Sequence, residues 1–193
     1  MRRFFYAVIV AILVTACGGG GGASTGEPPA ATAPNPPSNN TLTIEGSVSY
    51  EPGANATVST SFGDSVISTT SDTNGTYELS IEYEDSEDNS FIVLASVGTE
   101  DNDFIEYRSA LGEFSSLLTL AGSDKTLSAD ELFAINLSPL TTAAYGMAVI
   151  ENDGAAPTTK ADWDATARNV NSEEVLMAAS AIQLVIDSRD SMP

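Results

Sequence analysis

The run Tyr77-Glu78-Leu79-Ser80-Ile81-Glu82-Tyr83 alternates large apolar with polar side chains and never breaks step. A period of two belongs to a β-strand with one buried and one wet face, and no helix can hide such a set. A single amphipathic strand cannot stand alone in water, so this run demands further strands. They are present. Leu42, Ile44, Val48 and Tyr50 alternate with polar residues, with Gly46 interrupting the series. Ala56–Phe62 and Ser65–Thr70 are short and rich in Val, Ile, Ser and Thr. Phe91–Val97 is almost continuously apolar, which predicts a strand covered on both faces or lying centrally. Phe104–Ser109 and Glu113–Leu120 complete a set of about seven short strands. Turn signals every eight to twelve residues or so predict an antiparallel seven-strand-type sandwich over residues 41–120.

The last third predicts helices. Ser128 and Glu131 have the spacing of a capping box, enough for a single turn, after which Phe133–Leu137 reads as extended. Ser138-Pro139 is a strong start, with serine as cap and proline at the first helical position. A helix over Leu140–Glu151 should follow and stop near Asp153-Gly154. Thr159 can cap Lys160–Asn169. From Asn171 or Ser172, a further helix carries Val175, Ala179, Ile182 and Ile186 as an apolar stripe. The expected fold is mainly β with a helical C-terminal part of about three short α-helices over residues 121–193. The sequence stops at Met192-Pro193, just past that stripe. Either the helices fold back on the sandwich, or the sequence is part of a longer protein.

The N-terminus reads as an address. Arg2 and Arg3 precede an apolar stretch, Phe4 to Val14, well short of the roughly twenty residues that span a bilayer. Val14-Thr15-Ala16-Cys17 follows. This arrangement resembles the lipobox signal of bacterial lipoproteins. The resemblance implies cleavage after Ala16, lipidation of Cys17 with palmitate-type chains, and anchoring of the mature chain in a membrane. Gly18 stands where an aspartate tends to retain lipoproteins at the inner membrane, so the resemblance implies the outer membrane. It does not assign the periplasmic or the surface face. Residues 18–40 hold glycine, proline, alanine and small polar residues and one charge, Glu27. They cannot bury apolar surface and predict a disordered tether, with a reach of about 25–30 Å. The expected organisation is thus a signal peptide over 1–16, a lipidated cysteine and tether over 17–40, the sandwich, and the helical segment.

A second resemblance rests on Ile44-Glu45-Gly46-Ser47-Val48 and on the later run Thr70 to Leu79, which contains Asp72, Asn74, Gly75 and Tyr77. Physically that later run is a turn feeding a strand. Asp72 can bond backbone two residues on, Asn74-Gly75 tolerates positive φ, and Tyr77 starts the inward alternation. It resembles the carboxypeptidase regulatory-like, transthyretin-like (prealbumin-like) β-sandwich of secreted and surface proteins. The resemblance implies a structural or adhesive module, within a wider fold class that includes starch- and sugar-binding members. The segment Asn136 to Ala143 resembles one that follows such domains in lipoproteins of Gram-negative bacteria, where it leads into a helical region.

Composition narrows the chemistry. The 193 residues include no histidine and one cysteine. That excludes Ser-His-Asp and Cys-His pairs, His-containing zinc sites and an internal disulfide. Seven basic residues against 27 acidic ones give a formal charge of −20. Loss of Arg2 and Arg3 would leave five against 27, or −22. Nucleic acid is not an expected partner of such a surface.

Two acidic loops are calcium candidates: Glu84, Asp85, Glu87 and Asp88, and Glu100, Asp101 and Asp103. The strand Phe91–Val97 separates them by roughly 20 Å, so they cannot share one ion. Solvated turns are the plainer reading. Asp124 to Glu131 fails as an EF-hand, because Leu120 and Gly122 stand at ligand positions and Lys125 at the invariant glycine. Asp162 and Asp164 lie about 200° apart on a helix, with Trp163 between them as a packing residue or a sugar platform. Neither Lys125 nor Lys160 has a serine three residues upstream. The expected function is an outer-membrane-anchored lipoprotein with a structural, adhesive or assembly role, without catalytic residues or an obligatory cofactor. The alternative is a carbohydrate- or calcium-binding surface module with a glycan or envelope-protein partner, and a carboxylate-based hydrolase is a distant third.

Overall fold

In the computed structural model the chain divides into two units, Met1–Pro36 and Pro37–Pro193. The structure describes residues 40–49, 54–86, 88–99 and 105–190, all in the second unit. The expected cleavage and lipidation positions Ala16 and Cys17 lie outside the described residues. So do nearly all of the tether, Tyr50, Glu87, Glu100, Asp101, Asp103 and Phe104.

Among the described residues seven strands make two sheets. β1 (Asn40–Ser47) lies between β4 (Thr76–Tyr83) and β7 (Thr126–Leu127). The other sheet runs β3 (Ser65–Thr70), β2 (Thr57–Phe62), β5 (Phe91–Val97), β6 (Glu106–Glu113). All pairings are antiparallel except β1 with β7. The alternation works as sequence predicts: Tyr77, Leu79, Ile81 and Tyr83 are buried, while Thr76, Glu78, Ser80 and Glu82 are exposed. Opposite them Leu42, Ile44 and Val48 turn inward, and from the second sheet Val58, Ile92, Leu94 and Tyr107 meet them in one core. β5 is central, flanked by β2 and β6. Gly63, at φ 56°, takes the position a two-residue hairpin reserves for glycine between β2 and β3. Leu111 bulges out of the β5–β6 ladder, beside Gly112 at φ 122°.

One expected strand is a helix. Glu113–Leu120 reads as extended from its Ser, Thr and Leu content, but Phe114–Ala121 forms α1. Phe114, Leu117, Leu118 and Ala121 fall at i, i+3, i+4 and i+7, and all four are buried. Helical spacing of the large residues outweighs local β-propensity. The seventh strand is the two-residue β7, and α1 raises the α-helix count to four.

α2 (Pro139–Glu151) begins at the expected cap. The Ser138 hydroxyl accepts from the Thr141 N–H at 3.2 Å, and the Thr141 hydroxyl accepts from the Ser138 N–H at 3.0 Å. Threonine thus closes a capping box usually closed by glutamate. Asp153 and Gly154, both at positive φ, end the helix region, with the Gly154 N–H donating to the Val149 carbonyl. Thr159 caps α3 (Lys160–Ala167) through the Asp162 N–H. Asn171 accepts from the Glu173 N–H at the start of α4 (Ser172–Asp190). Val175 and Ile186 are buried and Ala179 and Ile182 half-buried, as the stripe predicts. The described part of the helical segment, residues 121–190, does not pack apart from the sandwich, because Leu127, Ile135, Leu137 and Ile186 belong to the same core as the strands. No helix among the described residues is long and apolar enough to cross a membrane.

Candidate functional site

Two places gather residues that sequence singles out, and a third is built by the fold alone. The first is the turn before β4. One Asp72 carboxylate oxygen accepts from the Asn74 N–H at 2.8 Å and the Thr76 N–H at 2.9 Å. Those bonds, Thr76 first, hold the carboxyl below its usual range. Gly75 sits at φ 80°, where a side chain would be strained, and its carbonyl accepts from the Val48 N–H. Tyr77 then dives inward, 2% exposed. Its hydroxyl donates to the Ile135 carbonyl at 2.5 Å. Burial pushes the phenol well above its ordinary pKa, so it stays protonated and remains a donor.

Sequence shows Gly46 as an interruption within a motif of the resemblance, and the structure gives it a task. Gly46 pairs with Tyr77 across β1 and β4. A Cβ there would stand 2.6 Å from the Tyr77 hydroxyl and 2.7 Å from the Ile135 carbonyl oxygen. The missing side chain lets the tyrosine cross β1 to reach the 3-10 turn Phe133–Ile135.

From that turn the chain forms a clasp. The Asn136 amide oxygen accepts from both the Ser47 N–H (3.2 Å) and the Ser47 hydroxyl (2.9 Å). Leu137 bridges Val48 in parallel, exchanging backbone bonds with Ser47 and Ser49. The expected extended stretch Phe133–Leu137 is therefore a 3-10 turn followed by an extended Asn136-Leu137. On the other sheet the Ser109 hydroxyl donates to the Ala134 carbonyl at 2.6 Å, and the Arg108 N–H donates to the Thr142 hydroxyl at 3.0 Å. The segment Ala134–Thr142 thus ties β1, β6 and α2 together, covering the β6 edge as it does so.

The second place is the loop before β5. The Asp88 carboxylate accepts from the Ser90 N–H at 2.6 Å, and its bonds to Ser90, side chain first and then backbone, hold it below the usual range. The Asp88 and Ser90 carbonyls accept from the Ser115 and Phe114 N–H groups, satisfying the otherwise free start of α1. Asp88 is thereby engaged in a helix cap. Glu84 and Asp85 are exposed beside it. Among the described residues no three His, Cys, Asp or Glu side chains gather as metal ligands.

The third is a groove that sequence does not announce, because widely separated segments build it. It lies on the outer face of the four-stranded sheet, with a volume of ≈ 380 Å³. Val93, Ala95 and Phe91 form its floor, Ser59 and Ser61 one side, and Arg108, Tyr145 and the Ala156–Thr158 loop the other. Both Nε and an Nη of Arg108 engage the Glu106 carboxylate, leaving the pair neutral overall. Trp163 lies against Phe91, ring centroids 6.2 Å apart, a packing contact that is one of the two roles weighed for it. Asp162 donates its backbone N–H to the α3 cap, while Asp164 pairs with Lys160 on the helix surface.

Comparison with protein-family models, with curated proteins and with solved structures gives no match for this chain.

Proposed function

We propose that this chain is an outer-membrane lipoprotein, held by acyl chains on Cys17, that displays a transthyretin-like sandwich with its helices as a structural, adhesive or assembly module. The two-sheet body is consistent with the regulatory-like resemblance carried by Gly46, Asp72, Gly75 and Tyr77. The observation that carries the reading is where the polar and aromatic groups go. Tyr77, Tyr83, Tyr107 and Phe114 are buried, and Asp72, Asp88, Asn136 and Ser138 are spent on turns, caps and the clasp. Side chains committed in that way build a rigid support. The address rests on the N-terminal sequence alone, where two or more acyl chains at about 0.8 kcal/mol per buried methylene make a lasting anchor.

Replacing Cys17 with serine tests the anchor. The wild-type chain should fractionate with the outer membrane and Cys17→Ser should be found in the soluble fraction. Equal membrane retention of the two would overturn the lipid anchor. The outer-face groove favours a second reading, a glycan-binding module. Phe91 offers an apolar floor, and the Glu106–Arg108 pair offers acceptors and donors side by side. Protection of Arg108 from chemical modification by soluble glycans would support it, and unchanged labelling would count against it.

A further inference from the structure

We propose that the outward face of α4 is a self-association surface, on which a second copy of this chain docks helix against helix in a two-fold dimer. Val175 and Ile186 turn into the body, but the opposite face is apolar as well. There Met177, Leu184 and Val185 are 65%, 68% and 63% exposed, and Leu176 on the flank is 58% exposed. Met177, Ala181, Leu184 and Val185 fall at i, i+4, i+7 and i+8, one stripe along the helix. From Val175 to Ile186 no residue is charged, in a chain with 27 acidic side chains. A solvated helix in so acidic a protein has no need of that stretch.

Beside the stripe lies a groove of ≈ 340 Å³ between α4 and the start of β6, lined mainly by Ile105, Tyr107, Ala181, Ile182, Val185 and Ile186. Ridge and groove share Ala181 and Val185, so they form one continuous surface. The ridge of one copy can enter the groove of another while receiving the other's ridge in return, which an isologous interface requires. Ala181, the small residue, lies four positions from both Met177 and Val185. Antiparallel helices crossing at Ala181 would set each Met177 against the other copy's Val185.

Area points the same way. With on the order of 100 Å² of open apolar surface per large side chain, Met177, Leu184 and Val185 present roughly 300 Å² before Ala181 and the groove are counted. A standard interface buries about 800 Å² per partner with a little over half of it apolar, roughly 450 Å². Ala181 and the apolar groove beside the stripe bring the surface toward that share. Against it stands the charge of −20 on each copy. Repulsion between copies is screened over about 10 Å at 0.1 M salt, so association should strengthen with ionic strength. An interface made of ion pairs would weaken instead.

The test is sedimentation velocity of the full chain carrying Cys17→Ser, at about 50 and 500 mM sodium chloride. The expected result is a reversible monomer–dimer equilibrium whose dissociation constant falls several-fold at the higher salt. Met177→Glu with Leu184→Glu in the same chain should abolish the dimer and leave the thermal transition in place. This comparison separates α4 from any association through the apolar N-terminal stretch. As a second measure, Ala181→Cys should give a disulfide-linked dimer on mild oxidation, since the two-fold brings those positions together. A monomer throughout at both salts overturns the proposal, and so does a dimer untouched by the double substitution. A wild-type dimer that Ala181→Cys fails to trap overturns the crossing at Ala181.

Discussion

Gly46→Ala perturbs the point where sandwich and clasp meet. The added methyl would stand 2.6 Å from the Tyr77 hydroxyl, 2.8 Å from its Cζ and 2.7 Å from the Ile135 carbonyl oxygen. One neighbour is backbone and the other a side chain held in the core, so neither yields cheaply. Overpacking of this kind costs about 1–3 kcal/mol. If Tyr77 moves to make room, the buried Ile135 carbonyl loses its donor, at about 1–3 kcal/mol more. Alanine narrows the unfolded ensemble and returns about 0.4–1 kcal/mol. The net loss should be about 2–4 kcal/mol, a large part of a typical domain's ~5–15 kcal/mol. Urea unfolding followed by far-UV circular dichroism reads it as a lower midpoint at unchanged slope. Tyr77→Phe alone should cost about 1–2 kcal/mol by removing the donor. When Tyr77→Phe is already in place, Gly46→Ala should cost about 1 kcal/mol less than in wild type, because the clash with the hydroxyl is gone. A Gly46→Ala protein within about 0.5 kcal/mol of wild type, or strictly additive substitutions, would refute the close-approach reasoning.

Other expectations follow from the same contacts. Burial raises the Tyr77 pKa in the fold, so the unfolded chain ionises first. Its contribution is whole below about pH 10 and is lost as pH rises further, at about 1.4 kcal/mol per pH unit. Tyr77→Phe should flatten the alkaline fall in stability, and equal slopes would count against the assignment. Asp72 runs the other way. Its pKa is depressed in the fold, so its contribution holds above the ordinary carboxylate value and fades as pH falls through the lowered one. Asp72→Asn should melt lower at neutral pH and converge on wild type in acid; a constant gap would contradict this. Ser138→Ala removes the α2 cap and should cost about 1 kcal/mol in chemical denaturation, whereas a neutral result would deny the capping box a role. If the acidic loops bind calcium, millimolar calcium should give heat in calorimetry and raise the melting temperature; a flat titration leaves them as solvated turns.

The strand at Tyr77–Tyr83 is readable because it is buried on one face only, so every second residue reports its side. The α2 start is readable because Ser138-Pro139 encodes the cap locally. α1 is misread because its buried residues sit at helical spacing within a segment whose composition suits a strand. β7 is two residues long and depends on Thr43 and Ile44, more than eighty positions away. No local pattern carries such a pairing. The glycine at position 46 is legible as a break, but its purpose depends on Tyr77 and Ile135, which only the fold brings together. The outer-face groove is hidden for the same reason, since its floor and walls come from β2, β5, β6, α2 and the loop after it. What sequence offers about function lies chiefly in the lipobox resemblance at Val14 to Cys17, on which the proposed anchor rests, and the clasp ties the segment from Asn136 to β1.

Intact-mass spectrometry of the chain purified from bacterial membranes tests the anchored-display account most directly. The mature chain should begin at Cys17 and carry the added mass of acyl chains, with residues 1–16 gone. A chain that retains Met1, or one cut elsewhere with an unmodified Cys17, would contradict it.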